Sequence, residues 1–208
     1  GGSDSFHTST LLTKFLQQGL KLAGLPETCV QIIDTIDRKM VTEILKASEY
    51  IDIIVPRGGR SLVAKIQEEA KVPVFAHLEG ICHIYVDREV DLDKSLDVII
   101  NSKMRRTGIC GAAETLLIDK KLQKDKIFKI ISELQKFNCE IRGDEFIKNI
   151  SNDITLASEE DWSTEYLDAI ISVKLVDGVK EAVCHINHYS SQHTETILTE
   201  NEATANYF

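Results

Sequence analysis

Apolar residues in this chain change their spacing again and again, from every second position to every third or fourth and back, with short connections between. Residues 10–22 place Leu11, Leu12, Phe15, Leu16, Leu20 and Leu22 at the helical period, and Gly24 and Pro26 end that helix. Residues 30–33 are a short β-branched run, which predicts a buried strand. A helix over 40–47, a strand over 50–55, a helix over 61–70 and a strand over 72–76 follow. The same alternation predicts strands at 84–86, 114–118, 140–141, 169–176 and 194–199. Helices are expected at 92–102, 126–137 and 179–187. Residues 148–156 are polar and show no clear period, and a last helix starts at Glu202. A chain that alternates in this way folds as a parallel sheet covered by helices. The expected class is therefore α/β, with a joint near Glu79–His83 where Gly80 separates two α/β halves, residues 1–80 and 81–208.

Composition removes several classes of function. A net charge of −9 with no basic stripe to offset it argues against a nucleic-acid backbone as partner. There is no apolar run of membrane-spanning length and no signal peptide. The five cysteines, at positions 29, 82, 110, 139 and 184, form neither a C-x-x-C pair nor zinc-ligand spacing, so no metal site is expected. Scattered free thiols point to a reducing, cytoplasmic setting.

The chemistry concentrates in residues 101–118. Cys110 sits among small neighbours, Gly108, Gly111 and Ala112, and follows three cations, Lys103, Arg105 and Arg106. Nearby positive charge favours the thiolate, the reactive form, and glycine lets a second molecule approach the sulfur. A covalent nucleophile is one reading; a small buried hydrophobe, the usual state of a free cysteine, is the other. A second feature is Pro56-Arg57-Gly58-Gly59-Arg60-Ser61, which links a predicted strand to a predicted helix. Helix N-termini present free N–H groups and a positive dipole end, so this turn suits a phosphate, although an ordinary strand-to-helix turn has the same form.

The pattern Asn101-Ser102-Lys103-x-x-Arg106-x-x-x-Cys110-x-x-x-Glu114-Thr115-Leu116-Leu117 resembles the catalytic-cysteine segment of the gamma-glutamyl phosphate reductase (glutamate-5-semialdehyde dehydrogenase) family, a branch of the aldehyde dehydrogenase superfamily. Cys82-His83-Ile84-Tyr85-Val86-Asp87 and the Pro56–Gly59 turn are similar to two further motifs of that family, and the resemblance runs along the whole chain. It implies part of a Rossmann-type cofactor domain joined to a three-layer α/β catalytic domain. It also implies NADPH-dependent reduction of L-glutamyl 5-phosphate to glutamate 5-semialdehyde and phosphate, a step of proline synthesis. Cys110 would carry the acyl group as a thioester. Gly58, Gly59 and Ser61 would meet the cofactor pyrophosphate. Ser3 falls where NAD-dependent relatives carry a carboxylate, which is consistent with NADP(H), and Glu165 falls on the glutamate that holds the nicotinamide ribose. Lys103, Arg105 and Arg106, with His193 and Thr194 in a Tyr-x-Ser-x-His-Thr-Glu-like turn, would line the glutamyl site. The expected partners are this small-molecule substrate and further copies of the chain, with no nucleic acid and no membrane. His83 is expected to be a packed, hydrogen-bonded histidine.

By the same resemblance, two pieces of the family's enzyme fall outside this sequence. One is an N-terminal portion with the first dinucleotide-fold strands and an oxyanion-hole asparagine, and the other is a C-terminal portion with a further strand. The expectation is that the chain alone has little activity. A broad hydrolytic aldehyde dehydrogenase is disfavoured, because its general-base glutamate near Ala76 is not found. A non-catalytic remnant acting as a folded binding module is the alternative from another class.

Overall fold

The computed structural model describes residues 3–76 and 79–208, the side chains of Ser3 and Arg60 excepted. Compact packing divides the chain into two units, Gly1–Leu78 and Glu79–Phe208.

In the second unit the strand-forming runs assemble into one sheet of six parallel strands. These are β1 (Cys82–Val86), β2 (Ala113–Asp119), β3 (Glu140–Gly143), β4 (Thr155–Leu156), β5 (Ile170–Val176) and β6 (Glu195–Leu198), in the spatial order β4-β3-β5-β2-β1-β6. Helices cover both faces, because parallel strands need crossovers and the crossovers bring helices with them. Alternate side chains sort to opposite faces. Ile84, Val86, Leu116 and Ile118 pack with Ile99, Ile127, Ile130 and Leu134 of two helices, Leu92–Met104 and Lys124–Lys136. Tyr85 and Leu117 pack on the other face with Ala182 and Ile186 of the helix Gly178–Tyr189. The β2 strand is buried at every position, the apolar Ala113, Leu116, Leu117 and Ile118 together with the polar Glu114, Thr115 and Asp119. This is the three-layer α/β arrangement expected for this half. The polar stretch 148–156 contains Ile154, which is buried, and closes on the short edge strand β4.

The first unit departs from expectation at its strands. Its helices form as the spacing predicts: Phe6–Leu22, Lys39–Lys46 and Arg60–Glu69. Residues 30–33, expected as a strand, belong to no ladder. Val30 is extended (φ −128°, ψ 122°), but its carbonyl accepts from the Gln17 side-chain amide at 2.9 Å. Residues 50–55 and 72–76 meet only at one parallel bridge, Ile54 to Val74, with Ile54 N on Pro73 O and Phe75 N on Ile54 O, both at 2.8 Å. A parallel sheet is stable when both faces are covered. Here Ile53, Val55 and Phe75 remain exposed, so the extended segments do not grow into a ladder.

Candidate active site

The strand order of the second unit brings four separate segments to one edge of its sheet. Each precedes a strand: Gly80 and Ile81 run into β1, the Cys110 turn into β2, Glu165 lies before β5, and His193 and Thr194 lie before β6. The strands stand side by side as β5-β2-β1-β6, so these segments line up along the amino-terminal edge. General experience with parallel sheets points instead to the carboxyl ends as ligand sites.

The start of β1 is where they meet. Gly80 N donates to Glu165 Oε1 at 2.8 Å, and Ile81 N donates to Ser191 Oγ at 2.8 Å. Cys82 Sγ donates to the Cys110 carbonyl at 3.1 Å and lies 3.7 Å from His193 Nδ1. His193 Nδ1 is also 2.8 Å from Thr194 Oγ1. Gly80 meets the Cys110 peptide so closely that a Cβ at position 80 would lie 1.8 Å from the Cys110 oxygen. Only glycine permits that approach.

Cys110 itself is half-buried, on a turn closed by Ala112 N donating to Ile109 O at 3.0 Å. The three cations preceding it separate. Arg105 and Arg106 are exposed at the head of the turn. Lys103 is fully buried, with its Nζ 2.5 Å from Glu114 Oε2, and Glu114 is equally buried. The helical period explains the difference: Lys103 lies in the last turn of its helix, on the face that carries Ile99 into the core. The structure therefore does not bring Lys103 to the opening beside the thiol. Burial pushes the Glu114 carboxyl up to about 7, while Lys103 pulls it down. Glu114 Oε1 accepts from Leu167 N at 3.4 Å, which ties the segment carrying Glu165 to the foot of β2.

The turn before β6 is held by a carboxylate. Glu195 Oε2 accepts from His83 N at 3.0 Å, and Ser190 Oγ donates to Glu195 Oε1. His83 Nδ1 lies 3.1 Å from Glu195 Oε2, but without hydrogen-bond alignment, and neither ring nitrogen has a hydrogen-bond partner. His83 is packed as expected but not hydrogen-bonded through its ring. It sits edge-on to His185, 5.6 Å between centroids.

In the first unit, Gly58 and Gly59 lead into the helix Arg60–Glu69. Among the described residues no side chain caps that helix, a Cβ on Gly59 would meet nothing within 4 Å, and Ser61 is exposed. A helix N-terminus with open space beside Gly59 is compatible with a phosphate. The Ser3 backbone belongs to a short 3-10 turn, Ser3–Ser5, while its side chain lies outside the described residues, as do Gly1, Gly2, His77 and Leu78.

Residues 5–148 match the model of the aldehyde dehydrogenase family. The chain belongs to that family. Among curated proteins it is 56% identical over 201 residues to a gamma-glutamyl phosphate reductase of Bartonella tribocorum, covering 96% of this chain and 49% of the relative. It is 53% identical over 209 residues to that of Bartonella quintana, covering 100% and 50%. Among solved structures it is similar to the gamma-glutamyl phosphate reductase of Thermotoga maritima, with a TM-score of 0.95 and 42% identity over 100% of this chain and 50% of that one. The chain spans about half the length of the curated relatives it matches.

Within this aldehyde dehydrogenase chain, sequence reasoning singled out Cys110, Glu165, His193 and Thr194 but missed what joins them. Gly80 and Cys82 were legible only as a joint between halves, because the contacts they make span 28 to 111 positions of sequence. Glu114 and Glu195 stand inside the motifs of the Cys110 segment and the His193 turn, but no role for them was legible there. A carboxylate at the start of a strand, in each case beside a site segment, is the signal that could have found them.

Proposed function

We propose that the whole protein to which this aldehyde dehydrogenase sequence belongs reduces L-glutamyl 5-phosphate to L-glutamate 5-semialdehyde with NADPH, and that Cys110 is its nucleophile. The observation that carries this reading is the convergence of the Cys110 turn, Glu165 and His193 on Gly80–Cys82. The naming of the 53–56% identical relatives as gamma-glutamyl phosphate reductase supports the substrate. The Cys110 thiolate attacks the acyl phosphate, the C–O bond to phosphate breaks, and inorganic phosphate leaves as the thioester forms. Arg105 and Arg106, exposed at the head of the turn, are proposed to meet the anionic substrate; Lys103 is engaged internally by Glu114. Backbone N–H groups around Cys110 are the donors proposed to hold the oxyanion, and His193 with Thr194 borders the same edge.

NADP(H), when bound, supplies the hydride that converts a thioester to an aldehyde. Gly58, Gly59 and Ser61 are proposed to hold its pyrophosphate, Glu165 its nicotinamide ribose, and Ser3 to leave room for a 2′-phosphate. On this reading residues 1–80 are part of the dinucleotide-binding domain, and 81–208 carry the chemistry and, through Glu165, a contact to the cofactor. The setting is cytoplasmic and self-association accompanies function; among the described residues no helix is long and apolar enough to cross a membrane.

The test uses the chain as it stands. After incubation with an acyl phosphate, peptide mass spectrometry is expected to find the acyl group on Cys110 and not on Cys29 or Cys139. In the family's full-length setting, phosphate-dependent reduction of NADP by glutamate 5-semialdehyde falls on the order of a thousandfold or more in Cys110→Ala. Acylation spread evenly over the cysteines, or turnover surviving in Cys110→Ala, would overturn the reading.

A further inference from the structure

The Cys110 carbonyl is gripped from two sides by the start of β1. On one side the missing side chain of Gly80 lets the two backbones meet, since a Cβ there would come within 2.8 Å of Cys110 Cα as well as 1.8 Å of its oxygen. On the other side Cys82 Sγ donates to the same oxygen at 3.1 Å. Cys82 is buried, and that burial, with Glu195 acting in the same direction, pushes its thiol up to about 11. It therefore keeps its proton, and its capacity to donate, at neutral pH. Its sulfur also stands 3.7 Å from His193 Nδ1, so one side chain touches both the turn before β2 and the turn before β6.

We propose that Cys82 is a positioning residue for Cys110: its S–H holds the Cys110 carbonyl and so sets the direction in which the turn presents the Cys110 thiol, while its sulfur keeps that turn in step with His193. The importance of this for chemistry rests on the reading of Cys110 as nucleophile; the positioning itself does not.

A buried cysteine can also serve as a small hydrophobe that fills space. The two roles order the same two substitutions in opposite ways. A space-filling role is served better by alanine than by serine, because a buried hydroxyl without a well-placed acceptor is costly. A donating role is served by serine and lost in alanine.

The experiment is hydrogen exchange with peptide-level mass spectrometry on Cys82→Ala and Cys82→Ser, paired with the rate of iodoacetamide alkylation of Cys110. In Cys82→Ala, exchange in the peptide over residues 105–112, which includes the Ala112 amide, is expected to rise about tenfold, with β2 and β5 unchanged. Cys110 alkylation should change at least about threefold, with the exposed Cys29 and Cys184 as internal standards. Cys82→Ser should bring both readouts back to within about twofold of the parent. An unchanged turn in Cys82→Ala, a serine variant looser than the alanine one, or loosening throughout the sheet would each overturn the proposal. If the serine rescue holds but Cys110 takes up no acyl group, the functional reading falls and the positioning role stands.

Discussion

His185 shows at the scale of one residue what packing does to a titrating group. It is buried against Trp162 and Tyr189, and its Nδ1 lies 3.4 Å from Lys174 Nζ. Burial, then the Lys174 charge, pushes its imidazole down to about 3. In the unfolded chain it titrates near its ordinary value of 6.5. Between those values the unfolded state binds the proton and the folded state does not, so stability is present above about 6.5 and is lost as pH falls toward 3. At pH 5 the difference is about one and a half units, or about 2 kcal/mol. Urea unfolding at pH 7 and pH 5 should show that loss in the parent chain and its absence, for this position, in His185→Gln. None of this was visible in the residue string, where His185 is one of six histidines. The same holds for Gly80: its requirement comes from the Cys110 backbone against it, a neighbour 30 positions away.

Elements were legible wherever tertiary cover agreed with local pattern. The helix at 124–136 and the strand at 113–119 appear close to where spacing puts them, because each buries the face that its own sequence marks as apolar. Residues 30–33 carry an equally good strand pattern and form none, since β propensity describes a fit to neighbours, and the Val30 carbonyl is already taken by Gln17. Lys103 is the opposite case: expected to line the glutamyl site beside Cys110, it is drawn inward by its helical phase. With Glu114 it braces the connection that carries Cys110, one residue at the end of the incoming helix and the other at the start of the outgoing strand. Removing one partner leaves the other charge buried and alone. Lys103→Met should therefore cost about 3–5 kcal/mol in urea unfolding, and adding Glu114→Leu should recover most of it. If the single variant matches the parent, the brace does not exist.

The exposed apolar side chains of the first unit belong to the whole molecule. Leu11, Leu12, Phe15 and Leu16 are each more than half exposed on one side of the helix Phe6–Leu22, and Leu22 is 89% exposed. Contiguous apolar surface of that kind seeks cover. The chain at neutral pH should enhance the fluorescence of an apolar dye such as anilinonaphthalene sulfonate. Replacing Phe15 and Leu16 by glutamate should reduce that signal while leaving far-UV helix content in place; an unchanged signal would mean the stripe is already shielded.

The amino-terminal edge of the second unit has a consequence for how the molecule comes into being. The amide of Gly80 reaches Glu165 across 85 positions, and that of Ile81 reaches Ser191 across 110. Contacts this distant in sequence must meet the entropy of closing very long loops before they contribute anything. No early fragment emerging from synthesis can hold them, and a cut anywhere between β1 and Glu165 separates the ends of both. The thiol at position 110 acquires its setting only when the last strand has found its place beside the first.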